Sequence, residues 1–312
     1  MSISERIRRT GPANQLIHLS QRIVIPGLSG LSVYEVGRFF VLGIMNGSMS
    51  TRAASIAYRF FLSLFPAVLF VISLIPYVPV SGFQEGLIQL VTDPFPDELA
   101  VFIEGTIRDV VLRQRTGLLS ATFVFSLYMA TRGVLGIIRS FDASYHDFDT
   151  HSRPLQWAIS IGLVVLFGSF LVLASVVQIA GGAVIRWLLE LGVLPGGLFS
   201  VALYLARVVL VALLLFLAIS SLYYWAPAKS ARARFGAAGS ILATIGVLAV
   251  NAGFNFYLSN LSRWNAVFGS LGTIIVLLIW LYAASMVLLI GFELNVSICE
   301  ARSYRISDGT AD

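Results

Sequence analysis

The stretch from Phe268 to Ser297, FGSLGTIIVLLIWLYAASMVLLIGFELNVS, decides the class of this chain. It carries no formal charge from Gly269 to Phe292 and then meets a single acid, Glu293. At 1.5 Å per residue, a helix over that run reaches ~35 Å, enough to cross a hydrocarbon core of roughly 30 Å. Trp280 and Tyr282 fall near its middle, where they serve packing more than an interfacial belt. Glu293 costs free energy in hydrocarbon unless it is paired, hydrated or protonated, so it is the first position that needs an explanation.

The composition extends this reading to the whole chain. Of 312 residues, 57% are hydrophobic and only 12% charged, about half the charge of an average soluble domain. The mean hydropathy is +0.86. The apolar residues come in continuous blocks rather than alternating with period two, which argues for membrane helices and against a closed barrel. The net charge of +5 needs no nucleic acid, because membrane proteins collect Arg and Lys on cytoplasmic loops. The single cysteine, Cys299, excludes an intramolecular disulfide and cannot by itself build a thiolate metal site. Residues 1–30 contain no apolar core followed by a small-residue cleavage site, so no removable signal peptide is read.

Taken in order, residues 1–30 read as a polar cytoplasmic tail, basic through Arg6, Arg8, Arg9 and Arg22. Leu31–Met49 has helical apolar spacing but is too short and charged to span, so an interfacial helix is expected. Spans follow at about Ala54–Val78, Thr116–Ile138, Leu155–Ile185, Leu198–Trp225, Phe235–Leu258 and Phe268–Ser297. Between the first two, residues 80–116 suggest two short amphipathic helices hinged at Asp93-Pro-Phe-Pro96. The expected fold is therefore all-α: a polytopic membrane protein with six transmembrane helices, an N-terminal interfacial helix and a short external amphipathic helical hairpin. The membrane domain covers 31–300, and 301–312 form a second cytoplasmic tail. With both termini inside, Arg108, Arg113, Arg115, Arg186 and Arg263 lie outside and Arg59, Arg132 and Arg207 lie within spans. The other thirteen of the 21 basic residues then fall on the cytoplasmic side. Gly236, Gly239, Ala243, Gly246, Val250 and Gly253 form a stripe of small residues on the fifth span, expected as a helix-packing seam.

Two groups of intramembrane polar residues are candidate sites. Helical rise puts Arg59 ~8 Å, Arg132 ~9 Å and Glu293 ~6 Å inside the cytoplasmic ends of their spans, a depth at which the three can form a buried ion group. Snorkelling of both arginines, with Glu293 at a solvated helix end, is the structural alternative. Arg207 lies ~14 Å from the external end of its span, and Asn251, Asn255 and Tyr257 on the next helix are plausible partners for it. The alternative there is an interhelical clamp at ~0.6 kcal/mol per bond. The loop His146-Asp-Phe-Asp-Thr-His151 holds metal-ligand types at close spacing, but nothing elsewhere in the sequence completes a ligand set, so a solvated turn is expected. No Gly-rich phosphate loop, nucleophile–base pair or aromatic-basic RNA surface appears. No metal and no cofactor are called for.

Several stretches together resemble the YihY/virulence factor BrkB family, formerly called ribonuclease BN. They are Ala53–Pro66 (AASIAYRFFLSLFP), Tyr224-Trp-Ala-Pro227, Asn255-Phe-Tyr257 with Asn265 and Phe268-Gly-Ser-Leu-Gly272, and Trp280-Leu-Tyr282 with Leu289-Ile-Gly-Phe-Glu-Leu-Asn295. Arg59 stands where an aromatic residue is more typical. The resemblance covers roughly residues 30–300 and implies a six-helix bacterial inner-membrane protein, with little implied chemistry. The functional expectation is a transport or permeation protein for a small polar, ionic or lipid-like solute. A non-catalytic envelope scaffold is the alternative, and a membrane-bound hydrolase or ribonuclease using the His146–His151 loop comes third. Expected partners are membrane lipids and an unidentified solute, without nucleic acid; a homo-oligomer is compatible with the sequence.

Overall fold

The computed structural model describes residues 33–46, 48–77, 88, 116–143, 150–190, 198–228, 236–260 and 265–308. Among them are seven α-helices: α1 (Val33–Asn46), α2 (Met49–Leu74), α3 (Thr116–Asp142), α4 (Arg153–Glu190), α5 (Leu198–Trp225), α6 (Ala238–Asn260) and α7 (Asn265–Asp308). A 3-10 turn, Ile75–Tyr77, closes α2. Six helices are long and apolar enough to cross a membrane, over Met49–Tyr77, Thr116–Asp142, Arg153–Val177, Leu203–Trp225, Ala238–Tyr257 and Ile274–Arg302. The all-α polytopic class is thus the observed one. The tail 1–30, the hairpin expected at 80–116 and the basic loop around Arg232 lie outside the described residues, apart from Ile88 and Thr116.

Boundaries move where local backbone chemistry dictates. The fifth span begins at Ala238 rather than Phe235, because Gly236 turns the chain with φ +74°, a conformation open to glycine at no steric cost. Gly236 therefore precedes the helix instead of belonging to its stripe. Ser48, at φ 48°, makes the corner between α1 and α2. The sixth span does not stop at Ser297. Helix α7 runs on to Asp308, and Ile298 and Ala301 are buried with Val36 of α1, so apolar contact keeps this stretch helical.

The chain divides into two compact units, one of residues 58–133 and one of residues 1–57 with 134–312. In the smaller unit, α2 and α3 are joined by polar groups at several levels. Ser126 Oγ donates to the Pro66 carbonyl at 2.6 Å, Ser73 and Thr122 hydroxyls meet at 3.1 Å, and Tyr77 donates to Thr116 at 3.3 Å. Phe70 and Phe123 rings pack 5.4 Å apart. Lipid supplies no hydrophobic drive between helices, so such bonds and ring contacts carry the association.

In the larger unit, α7 packs on α6 and α1, and α5 packs on α4 and α6. Phe141, Tyr223 and Phe292 form an aromatic cluster, with Phe141 and Phe292 stacked at 3.9 Å and Tyr223 edge-on to Phe141 at 5.8 Å. The ends of α3 and α5 thereby meet the same stretch of α7. Many large apolar side chains stay on the outside, among them Leu171 (69%), Val209 (64%) and Phe256 (74%). A hydrocarbon solvent stabilises such a surface; water would not.

Candidate functional site

Glu293 is the centre of the larger unit's polar core. It is fully buried, at 0% exposure, although it sits on the most apolar stretch of the chain. Its neighbours come from three helices. The backbone of Gly43 on α1 lies so close that a Cβ there would collide with the Glu293 carboxyl. Arg52, near the start of α2 and 7% exposed, lies in the field of the Glu293 carboxylate. One helical turn on, Ser297 donates to the Glu293 backbone carbonyl at 2.7 Å.

Close backbone approach builds the rest of this core. Gly239 on α6 and Gly291 on α7 face each other, each leaving no room for a side chain on the other. The Gly239 N–H donates to Asn295 Oδ1 at 2.7 Å, across the two helices. Tyr223 Oη donates to the Leu288 carbonyl at 2.6 Å, and the Phe292 N–H reaches the same hydroxyl. Ala243 and Gly246 continue the contact, against Gly291 and Val287. Among the described residues, Asn295 Nδ2, Ser220 Oγ and Ser240 Oγ are buried without a hydrogen-bond partner. Each such group costs on the order of 1–3 kcal/mol.

The other sequence candidates lie on four helices. Arg59 and Arg132 belong to the smaller unit. Arg132 is exposed, donates to Tyr128 Oη at 3.1 Å and lies 5.8 Å from that ring's centroid. Arg59 is half-buried, as is Arg207 on α5. Asn251, Asn255 and Tyr257 are exposed on α6. Tyr257 lines an apolar groove of about 360 Å³ with Phe254, Val276 and Trp280. Beside Gly253 a Cβ would meet nothing within 4 Å among the described residues, so this glycine makes no close helix contact with them. Arg52 and Gly43 are what sequence reasoning missed. Arg52 precedes the apolar run that marks the first span in the sequence, whereas the helix itself begins at Met49.

His146 lies outside the described residues, while His151 is half-buried. The His151 Nε2 contacts the Pro227 carbonyl at 3.1 Å, and the ring sits in the field of Asp142. Gln156 Nε2 donates to Asp142 Oδ2 at 2.9 Å. Among the described residues, no group of three His, Cys, Asp or Glu side chains is gathered for a metal.

Comparison with known proteins agrees with this architecture. No solved structure matches the chain. The ribonuclease-like protein YfkH of Bacillus subtilis is 29% identical over 245 residues, covering 78% of this chain and 88% of that protein. UPF0761 membrane proteins of Aliivibrio salmonicida and Vibrio campbellii are 24% and 25% identical, over 84% and 89% of this chain and 83% and 84% of their own lengths. The family model described as "Virulence factor BrkB" matches residues 41–312. That match takes in α2 to α7 entire, with the acid of α7 and the arginine that faces it, and the chain belongs to the Virulence factor BrkB family.

Proposed function

We propose that this integral membrane protein resides in the bacterial inner membrane with both termini in the cytoplasm and acts in transport or permeation of a small polar, ionic or lipid-like solute. The observation that carries the reading is a fully buried acid, Glu293, with the buried Arg52 in its field, both held at minimal exposure within an apolar bundle. Ionisable groups inside a membrane are costly and mark pathways or relays by default. The partnerless buried Asn295 Nδ2, Ser220 and Ser240 groups support it, since a scaffold gains nothing from unsatisfied polar atoms. The test is flux in proteoliposomes across ions, amino acids, sugars and labelled lipids, with and without Glu293→Gln. Flux of one class that the variant abolishes supports the proposal. Absence of flux for every class favours the second reading, an envelope scaffold, which the tight Gly239–Gly291 contact also supports.

Topology is separately testable. Reporter fusions at Ala231 and Arg305 are expected to report the cytoplasm, and those at Phe95 and Arg263 the outside, from the thirteen-to-five asymmetry of basic residues. An external signal from Ala231 overturns the six-helix map.

The ribonuclease-like name belongs to the Bacillus subtilis relative. For this chain, purified protein is expected to leave RNA intact in the presence of Mg²⁺ or Mn²⁺. A short loop between His146 and His151 offers few ligands of fixed geometry, and metal-assisted hydrolysis needs a built site. Cleavage that follows the protein through purification and vanishes in His146→Ala with His151→Ala would show the opposite.

A further inference from the structure

A second site stands apart from Glu293, where α3 ends and α4 begins. Arg139, in the last turn of α3, and Arg153, the first residue of α4, are both exposed. With Thr150, His151 and Gln156 they line a cavity of about 530 Å³. No carboxylate is among these lining residues. The neighbouring Asp142 accepts from Gln156 at 2.9 Å, and Asp147 and Asp149 lie outside the described residues. Among the described residues the cavity presents two guanidinium forks, an imidazole, a hydroxyl and an amide, a set suited to phosphate oxygens.

The same His151 also lines a second cavity, of about 580 Å³ and of opposite character. Its walls are Leu155, Ile159, Leu163 and Leu166 on one face of α4, with Trp225 at the end of α5. The repeat of 4, 4 and 3 residues keeps these side chains on one helix face. From Leu155 to Ser169, the last lining residue, the groove extends ~21 Å along the helix, more than the ~15 Å that half a hydrocarbon core measures. Trp225 is 44% exposed, and an amphipathic indole is stabilised at a membrane–water boundary. A basic pocket that shares His151 with an apolar groove about one leaflet long has the two-part chemistry of a phospholipid.

We propose that Arg139, His151 and Arg153 bind the headgroup phosphate of an anionic phospholipid whose acyl chain lies along the Leu155–Ser169 face of α4. Charge complementarity selects this occupant: the described head-site residues are cationic and the tail site apolar, and His151 belongs to both. Two guanidinium groups distinguish a net anionic headgroup from a zwitterionic one, whose own ammonium competes for the phosphate. The site stands whether or not the chain moves a solute, so it goes beyond the transport reading.

The experiment is native mass spectrometry of the full-length protein in detergent, titrated with dioleoylphosphatidylglycerol, dioleoylphosphatidylcholine or inorganic phosphate. Phosphatidylglycerol is expected to bind at least ten-fold more tightly than phosphatidylcholine. Arg139→Gln with Arg153→Gln is expected to weaken phosphatidylglycerol about thirty-fold, at ~1 kcal/mol per basic residue near an anionic surface. Arg139→Lys with Arg153→Lys should restore part of it, which separates charge from misfolding. The groove has its own probe. Gly162 lines it, and a Cβ there would meet nothing within 4 Å, so Gly162→Phe fills the groove without a clash at the backbone. That variant is expected to reduce phosphatidylglycerol binding while leaving inorganic phosphate binding unchanged. Equal binding of the two lipids, or an unaltered Gln double variant, overturns the head site. Full lipid binding by Gly162→Phe overturns the tail site and leaves a plain anion pocket.

Discussion

Glu293→Gln is expected to lower the folded yield in detergent sharply and to abolish whatever flux the protein supports. The acid is at 0% exposure and Arg52, in its field, at 7%, so the variant leaves a buried guanidinium facing a neutral amide. Removing one partner of a buried pair costs ~3–5 kcal/mol in soluble proteins, against a total stability of roughly 5–15 kcal/mol. Isosteric Gln keeps the volume, so the loss reports charge rather than packing. A charge swap is sharper than neutralisation. Glu293→Arg is expected to fail, and adding Arg52→Glu is expected to recover part of the loss, with a coupling energy well above the ~0.5 kcal/mol seen between independent sites. Strict additivity would show that the two charges do not depend on each other. Arg59→Glu and Arg132→Glu, run beside it, ask whether the acid also responds to either arginine that its depth along the sequence had suggested.

The second large effect is steric. Gly239→Ala and Gly291→Ala are each expected to lower the thermal midpoint of the purified protein by several degrees, at a cost of ~1–3 kcal/mol. A Cβ on Gly239 would run into the Gly291 carbonyl and approach Asn295 Cγ at 2.6 Å. One on Gly291 would meet the Gly239 carbonyl at 2.6 Å, Ala243 Cβ at 2.7 Å and Tyr223 Oη at 2.7 Å. The obstacles include backbone, which cannot rotate away as a flexible side chain does. The helices must separate, and the Gly239 N–H to Asn295 bond at 2.7 Å stretches with them. Gly253→Ala is the internal control. It lies on the same helix, its Cβ would meet nothing within 4 Å, and alanine improves helix propensity by up to ~1 kcal/mol. An unchanged midpoint for Gly239→Ala would show that α6 and α7 slide apart freely.

What the sequence determines here is whatever depends on neighbours along the chain. Hydropathy is such a property, and a bilayer fixes the length an apolar helix must have, so α2 to α7 are readable as spans from residue order alone. Glu293 is readable for the same reason: one acid ends a long uncharged run, and hydrocarbon makes that expensive. The small residues of α6 point to close approach of a helix without saying which. Tertiary structure alone decides what stands opposite. Arg52 and Glu293 lie far apart in sequence, and only the packing of α1 on α7, with the first turn of α2 following α1, places Arg52 in the field of the acid and the bare backbone of Gly43 against its carboxyl. Gly291, flanked by isoleucine and phenylalanine, carries no pattern of its own; its need for hydrogen at Cα arises from Gly239, Ala243 and Tyr223 on other helices. Asn251 and Asn255, four residues apart, share a face of α6 by their spacing, and both are exposed there. Periodicity states which residues share a face. Which face is covered depends on the helices that pack around it, and that is set by contacts no local pattern encodes.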